Sequence, residues 1–342
     1  MKLGLQLGYW FAQPPAGVEE QVAEAERLGF DSAWVAEAYG SDCFTPLAWQ
    51  ARATSSLKWG TAVCQISART PVATAMTALT LDHLTEGRFM LGLGVSGPQV
   101  VEGWYGQPFP KPLERTREYV GIVRQVLERN GPVTNDGPHY PLPYPGGTDL
   151  GKPLKSITHP RRADLPILLG AEGPKNVALT AEIADGWIPI FYSPKLDPEY
   201  RGYLREGFAR PAARRSIDDF EVATTVNVVI DDDVERAADA VRPFLAFYIG
   251  GMGAREVNFH FDVFCRMGYE AEATKVQDLF FAGRRDEAVA AIPLAMVEDV
   301  ALVGPAAKIR DELQAWEETV LTTMLVAGPP EQLRRVAEVV LG

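Results

Sequence analysis

Two rhythms alternate along the chain: a short apolar run, then a stretch with apolar residues three and four positions apart. Residues 3–8 form the first run. In 18–28, Val18, Val22, Ala25 and Leu28 share one helical face, and Gly29 supplies the stop. Residues 31–36 predict a strand and 46–54 a helix. Residues 58–66 are again strand-like, and Thr70 as N-cap with Pro71 at the first helical position opens a helix that runs to Glu86 and ends at Gly87. Residues 89–93 predict the fourth strand and 113–128 the fourth helix.

Residues 130–163 break this rhythm, being rich in Pro and Gly with little periodicity, and predict a long excursion over the surface. The alternation resumes with a strand over 166–169, a helix over 174–185 stopped at Gly186, a strand over 187–191, a β-branched strand over 221–230 and a helix over 234–247. A second excursion, irregular and partly helical, covers 250–297. A helix over 305–316, a strand over 322–326 and a helix over 329–340 complete the pattern. Eight apolar strands, each followed by a helix, predict an α/β fold: one (β/α)8 TIM barrel domain over 1–342, with insertions after strand 4 and between strands 7 and 8. The competing architecture is an open doubly wound sheet, favoured by Gly92-Leu93-Gly94-Val95-Ser96-Gly97, which fits G-x-G-x-x-G after a strand. That motif lies in the fourth unit and, with Pro98 following, is not expected to open a helix directly.

Composition narrows the function. With 46% hydrophobic and 23% charged residues the chain is an ordinary globular protein, and a formal net charge of −12 disfavours nucleic acid as a partner. Cys43, Cys64 and Cys265 are odd in number and form no C-x-x-C pair, so free thiols in a reducing compartment are expected. The four histidines are scattered without metal-ligand spacing. No signal-like segment or long apolar run is read, which leads to an expectation of a cytoplasmic protein.

A barrel of this kind carries its reactive groups at the C-terminal ends of its strands. The candidates are then Gln6 to Trp10, Glu37 to Tyr39, Ala62 to Gln65, Val95 to Gly97, Ala171 to Pro174, Phe191 and Tyr192, Asn227, and Ala327 to Gly328. In Gly170-Ala171-Glu172-Gly173-Pro174 the glycines permit close backbone approach, and the helix that starts at Pro174 offers free N–H groups to an anion. The same turn could also be a tight connection with no ligand. Glu172 is the awkward member, since its carboxylate must turn away from any phosphate. The run Asp231-Asp232-Asp233 is read as a helix N-cap, and Lys152, Lys155, Arg161 and Arg162 as a basic surface patch able to meet an anionic tail.

The stretch Leu81-Asp82-His83-Leu84-Thr85-Glu86-Gly87-Arg88-Phe89-Met90-Leu91-Gly92-Leu93-Gly94 resembles a signature of the bacterial luciferase-like oxidoreductases. So does the Gly170–Pro174 turn with Ala181-Glu182-Ile183-Ala184-Asp185-Gly186-Trp187, and the likeness is nearest to the branch that uses the deazaflavin coenzyme F420. The resemblance implies a barrel, usually dimeric, with cofactor across the strand ends. Its phosphate would sit at Ala171, Glu172, Gly173 and Pro174. Its ring would rest on a bulge within Ala62-Val63-Cys64, often with a non-prolyl cis peptide. Val95, Ser96 and Gly97 would add cofactor contacts, and Gln6 and Glu37 would face ring or substrate. Glu37-Ala38 departs from the sugar-phosphate dehydrogenase branch, which has an acidic residue followed by histidine. The implied reaction is hydride transfer between reduced F420 and an unidentified small substrate. FMN-dependent monooxygenation and non-catalytic flavin binding are the alternatives. The expected general acid is Glu37, with Tyr39 or Tyr9 as substitutes, and Trp10, Phe11, Phe191 and Tyr192 are expected to wall the ring.

Overall fold

A computed structural model describes residues 1–342. Its strands are β1 (Lys2–Gly8), β2 (Ser32–Val35), β3 (Lys58–Thr61), β4 (Cys64–Gln65), β5 (Phe89–Gly94), β6 (Ile167–Gly170), β7 (Gly186–Ile188), β8 (Glu221–Thr225), β9 (Asn227–Ile230), β10 (Ala301–Gly304) and β11 (Thr323–Val326). All pair in parallel, in the order β3-β2-β1-β11-β8-β7-β6-β5, and β5 pairs back to β3 to close an eight-staved barrel. β4 prolongs the third stave. The register against β5 slips by one residue between Gly60↔Met90 and Cys64↔Leu93, so the chain bulges at 61–63.

Each strand is buried on both faces because helices cover the outside. Trp34, Met90, Leu168, Ala223 and Leu325 fill the barrel interior. The Trp34 ring lies so close to Gly60 that a Cβ there would stand 2.3 Å from it, and its Nε1 donates to Ser32 Oγ at 2.9 Å. The interior is therefore packed, and ligands are confined to the strand ends. The predicted caps are present: Thr70 Oγ1 accepts from Ala73 N ahead of the helix Pro71–Leu84, and Asp233 accepts from Glu235 N and Arg236 N ahead of Val234–Asp239.

The structure corrects the expected pattern in several places. The 221–230 run is two strands. β8 stays in the barrel, while β9 leaves it and pairs with β10, a strand the sequence reading lacked, in a separate two-stranded sheet. The helix Asp197–Phe208 was also unassigned; Gly207 packs it onto Pro174–Ile183, where a Cβ would meet Ala178 O at 2.1 Å. The second excursion is mostly helical, with Phe259–Arg266, Glu270–Phe281, Arg285–Ala290 and Leu294–Glu298 following Arg242–Gly251. The first excursion holds no helix or named strand. It is fastened at the N-terminal end of β5, where Arg162 donates to Asp82 and to the Phe89 carbonyl. Arg162 of the basic patch thus lies by the opposite end of the barrel from the strand C-termini. No helix is long and apolar enough to cross a membrane.

Candidate active site

The bulge after β3 lies at the C-terminal end of the third stave. Its Ala62–Val63 peptide bond is cis, within the three residues expected for it. Val63 is received by glycines: a Cβ on Gly94 would stand 2.4 Å from Val63 Cγ2, and one on Gly170 3.3 Å from Val63 Cγ1. A Cβ on Gly92 would meet Thr61 O at 1.8 Å, and Thr61 Oγ1 is hydrogen-bonded to both Gly92 N and Gly92 O at 2.9 and 2.7 Å. The first glycines of the G-x-G-x-x-G string therefore serve packing between staves. Contrary to expectation, a short helix, Pro98–Gly103, does open directly after the string, with Gly97 as its N-cap. Ser96 takes a left-handed conformation (φ 59°) to make that turn, and Val95 lines a crevice with Leu93, Gly94, Leu169, Gly170 and Asn176.

The turn after β6 stands beside this crevice. Gly173 is an extended N-cap for Pro174–Ile183, and no side chain caps the helix. A Cβ on Gly173 would meet nothing within 4 Å, so the space beside this residue is open. Ala171 is buried and its carbonyl accepts from Trp187 Nε1 at 2.8 Å, which ties the turn to β7. Glu172 turns its carboxylate toward the insertion, where Oε1 lies 2.9 Å from His260 Nδ1. Its carbonyl accepts from Arg266 Nη2, also at 2.9 Å.

Glu37 is buried but does not have the contacts of a proton donor. Oε1 accepts from Arg69 Nη2 at 2.7 Å, and Oε2 accepts from Arg69 Nη1 at 2.9 Å and from Gln65 N at 3.0 Å. Gln65 Nε2 donates back to the Glu37 carbonyl. Both carboxylate oxygens are thereby committed to a bidentate pair that ties the end of β2 to β4. Such contacts speak for a structural Glu37 over the expected general acid. Cys43, Cys64 and Glu37 place donor atoms within 4.8 Å of one another, but Arg69 Nη1 lies 3.6 Å from Cys64 Sγ and puts a cation where a metal would stand. Burial, with the Glu37 charge adding to it, pushes the Tyr105 phenol above this pair up to about 12.

Two acceptors near the bulge lack partners: Gln6 Oε1 and Gln65 Oε1 are buried with no hydrogen bond. Orphaned acceptors in a buried site call for a donor that arrives with a ligand. The expected walls divide. Phe191, in a left-handed conformation (φ 52°), packs against Tyr248, His260 and Phe264 beneath the insertion. Tyr192 is core instead: its hydroxyl donates to Asp197 and its ring stacks on Tyr200 at 5.5 Å. Trp10 turns outward and lines a groove with Phe44, Trp49 and Met76, and Phe11 is 80% exposed, so neither has the surroundings of a ring wall. Tyr39 is 54% exposed at the rim. Tyr9 is raised by burial, partly offset by its hydrogen bond with Tyr248.

Sequence reasoning missed Arg69, Tyr248, His260 and Arg266. Arg69 carried a usable signal, since it directly precedes the Thr70-Pro71 cap and so begins at the catalytic end. The insertion residues carried none.

A closed parallel barrel with its open polar turns and unpaired acceptors gathered at the strand ends is an enzyme scaffold that binds a phosphate-bearing cofactor in many families. The chain belongs to the luciferase-like monooxygenase family, whose model matches residues 5–323. It is 60% identical, over 99% of each chain, to a Mycobacterium tuberculosis H37Rv protein described as "Putative coenzyme F420-dependent oxidoreductase Rv3520c". Its fold matches the coenzyme F420-dependent tetrahydromethanopterin reductase of Methanopyrus kandleri with a TM-score of 0.81 at 23% identity, covering 99% of this chain and 98% of the other. A more distant structural match, with a TM-score of 0.65 at 17% identity over 99% and 95% of the two chains, is the oxygenating constituent of 3,6-diketocamphane monooxygenase of Pseudomonas putida, solved with FMN. The chain is thus a (β/α)8 barrel of the luciferase-like oxidoreductase type.

Proposed function

We propose that this protein transfers hydride between coenzyme F420 and a small organic substrate whose identity is open. The observation that carries the reading is the uncapped, sterically open Gly173 turn at a helix N-terminus, two staves from the bulge across β5. The 60% identical relative described as F420-dependent supports the deazaflavin over FMN. The residues present fit such a group. Backbone N–H groups at Gly173 and Lys175 would hold its phosphate, with Ala171, Glu172 and Pro174 shaping the turn. Val63, flanked by Ala62 and Cys64, would support its ring, with Val95, Ser96 and Gly97 closing the neighbouring side. Gln6 or Gln65 would accept from the ring's imide N–H, meeting an orphaned oxygen.

When bound, a deazaflavin supplies a hydride at carbon. The protein's share is orientation and exclusion of water. The Glu37–Arg69 pair and Gln65 hold the bulge in place, and Phe191 with the insertion helices covers one side of the mouth. Gly173→Asp tests the reading. A carboxylate in that open space would oppose the phosphate, and F420 affinity should fall at least about tenfold, ~1.4 kcal/mol, with an unchanged circular dichroism spectrum. Unchanged affinity would place the phosphate elsewhere.

We further infer that the protein works as a homodimer. A groove of about 1350 Å³ between the helices Val18–Arg27, Phe44–Ala51 and Pro71–Leu84 is lined by Trp10, Trp49, Met76 and Leu84. Trp49, Met76 and Leu84 are 59%, 58% and 69% exposed, an apolar face of the kind that marks association.

A further inference from the structure

Glu172 poses a physical problem for the phosphate site, because its backbone belongs to the turn that would hold the anion. The insertion answers it. His260 Nδ1 lies 2.9 Å from Glu172 Oε1, at an ion-pair distance whose angle falls short of a hydrogen bond, and Glu172 Oε2 is buried with no partner. The two side chains keep only 13% and 18% of their exposure. No other cationic group lies within ion-pair distance of this carboxylate: Arg266 reaches the Glu172 carbonyl, and its own Nε is buried without a partner.

The position of His260 is well determined. Asn258 Oδ1 accepts from His260 N and Phe261 N, while Asn258 Nδ2 donates to the carbonyls of Tyr248 and Ile249. That pins the start of Phe259–Arg266 to the end of Arg242–Gly251. The imidazole is then held edge-on between Tyr248 and Phe191, with centroids 4.9 and 6.0 Å away. The titratable and charged groups around it are Glu172 from the turn, Tyr248 from the preceding helix with Tyr9 behind it, and Asp262 and Arg266 on its own helix. Burial raises the Asp262 carboxyl, and Glu172 raises it further against Arg266, so the neighbourhood already resists negative charge.

We propose that Glu172 and His260 form a charge-compensating pair that couples phosphate binding at this turn to protonation of His260. With a neutral imidazole, Glu172 leaves an uncompensated negative charge beside the helix N-terminus. With an imidazolium, that charge is cancelled and the N-terminal N–H groups meet the phosphate unopposed. The sign follows: anion binding favours the protonated ring, so affinity should be greater at the lower pH than at the higher. This rests on the proposed phosphate position, and the insertion thereby becomes a determinant of cofactor affinity.

The test is an equilibrium titration of the intact protein with F420 at roughly pH 6 and pH 8, where histidine changes charge. Wild type, Glu172→Gln and His260→Gln are compared at each pH, so titration of the cofactor itself cancels. Relative to wild type, Glu172→Gln should bind at least about threefold tighter at the higher pH, and His260→Gln at least about threefold weaker at the lower. His260→Gln should lose this pH dependence, whereas Glu172→Gln keeps the imidazole and should bind tighter than wild type at both pH values. An equal ratio of His260→Gln to wild type at the two pH values, or weaker binding by Glu172→Gln at the higher pH, would overturn the proposal. Sulfate, whose charge is constant over this range, serves as a second probe read by thermal shift. If F420 fails to bind while sulfate stabilises wild type more at the lower pH and His260→Gln does not show this difference, the cofactor reading falls and the pair stands. If sulfate stabilisation is equally pH-independent in all three proteins, the pair falls.

Discussion

Replacing Arg69 by methionine separates a structural Glu37 from a catalytic one. Glu37 keeps 3% of its side-chain exposure and Arg69 23%, so the substitution strands a buried carboxylate with Gln65 N as its remaining donor. Removing one partner of a buried pair costs about 3–5 kcal/mol. Partial hydration of the arginine reduces the loss to about 2–4 kcal/mol. For 342 residues, an unfolding entropy near 2.1 cal/mol/K per residue gives about 0.7 kcal/mol/K, and hence a drop of about 3–6 °C in thermal midpoint. Glu37→Gln strands the more exposed partner and should cost less, about 1–2 kcal/mol. The double variant should be more stable than the sum of the single losses implies, by at least about 1 kcal/mol. The assay is thermal unfolding followed by circular dichroism, with a urea series as a check. A midpoint for Arg69→Met within about 1 °C of wild type, with additive singles, would refute the argument and return Glu37 to candidacy as the acid.

Gly94→Ala places a Cβ 2.4 Å from Val63 Cγ2 and should cost about 1–3 kcal/mol while weakening cofactor binding through the displaced bulge. Gly173→Ala, with open space and an extended backbone, should be near neutral in stability; denaturation curves of the two compare them directly, and equal losses would contradict the packing account. Trp49→Glu should convert the protein to monomer in sedimentation at micromolar concentration, whereas an unaltered wild-type-like dimer would move the interface away from the groove beside Pro71–Leu84.

The barrel was legible because its signals are local. Thr70-Pro71 opens a helix, Gly29 and Gly87 end helices with positive φ, and apolar runs recur between them. The break between β8 and β9 was not, since both halves of 221–230 have the same β-branched character. What separates them is tertiary: Val226 N donates to Leu325 O at the barrel edge, and the next residues pair with β10. The same limit applies to the candidate site. Gly173 and the Ala62–Val63 bulge could be placed from turn chemistry and family likeness. The pairing of Glu37 was not legible because its partner lies 32 residues away, with no periodicity to connect them. Tyr192 and Trp10 were assigned by their position after a strand, but where the chain turns next decides whether such a ring faces the mouth, the core or the outer surface. His260 reaches the turn only through an insertion whose packing no local pattern encodes.

The central claim is that the turn at Gly173 and the bulge at Val63 together hold a deazaflavin. Parallel titration of the apo-protein with F420 and with FMN, read by absorbance and fluorescence, tests it most directly. The account predicts saturable F420 binding in the micromolar range or tighter, with FMN at least about tenfold weaker. Micromolar FMN binding without F420 binding would contradict it.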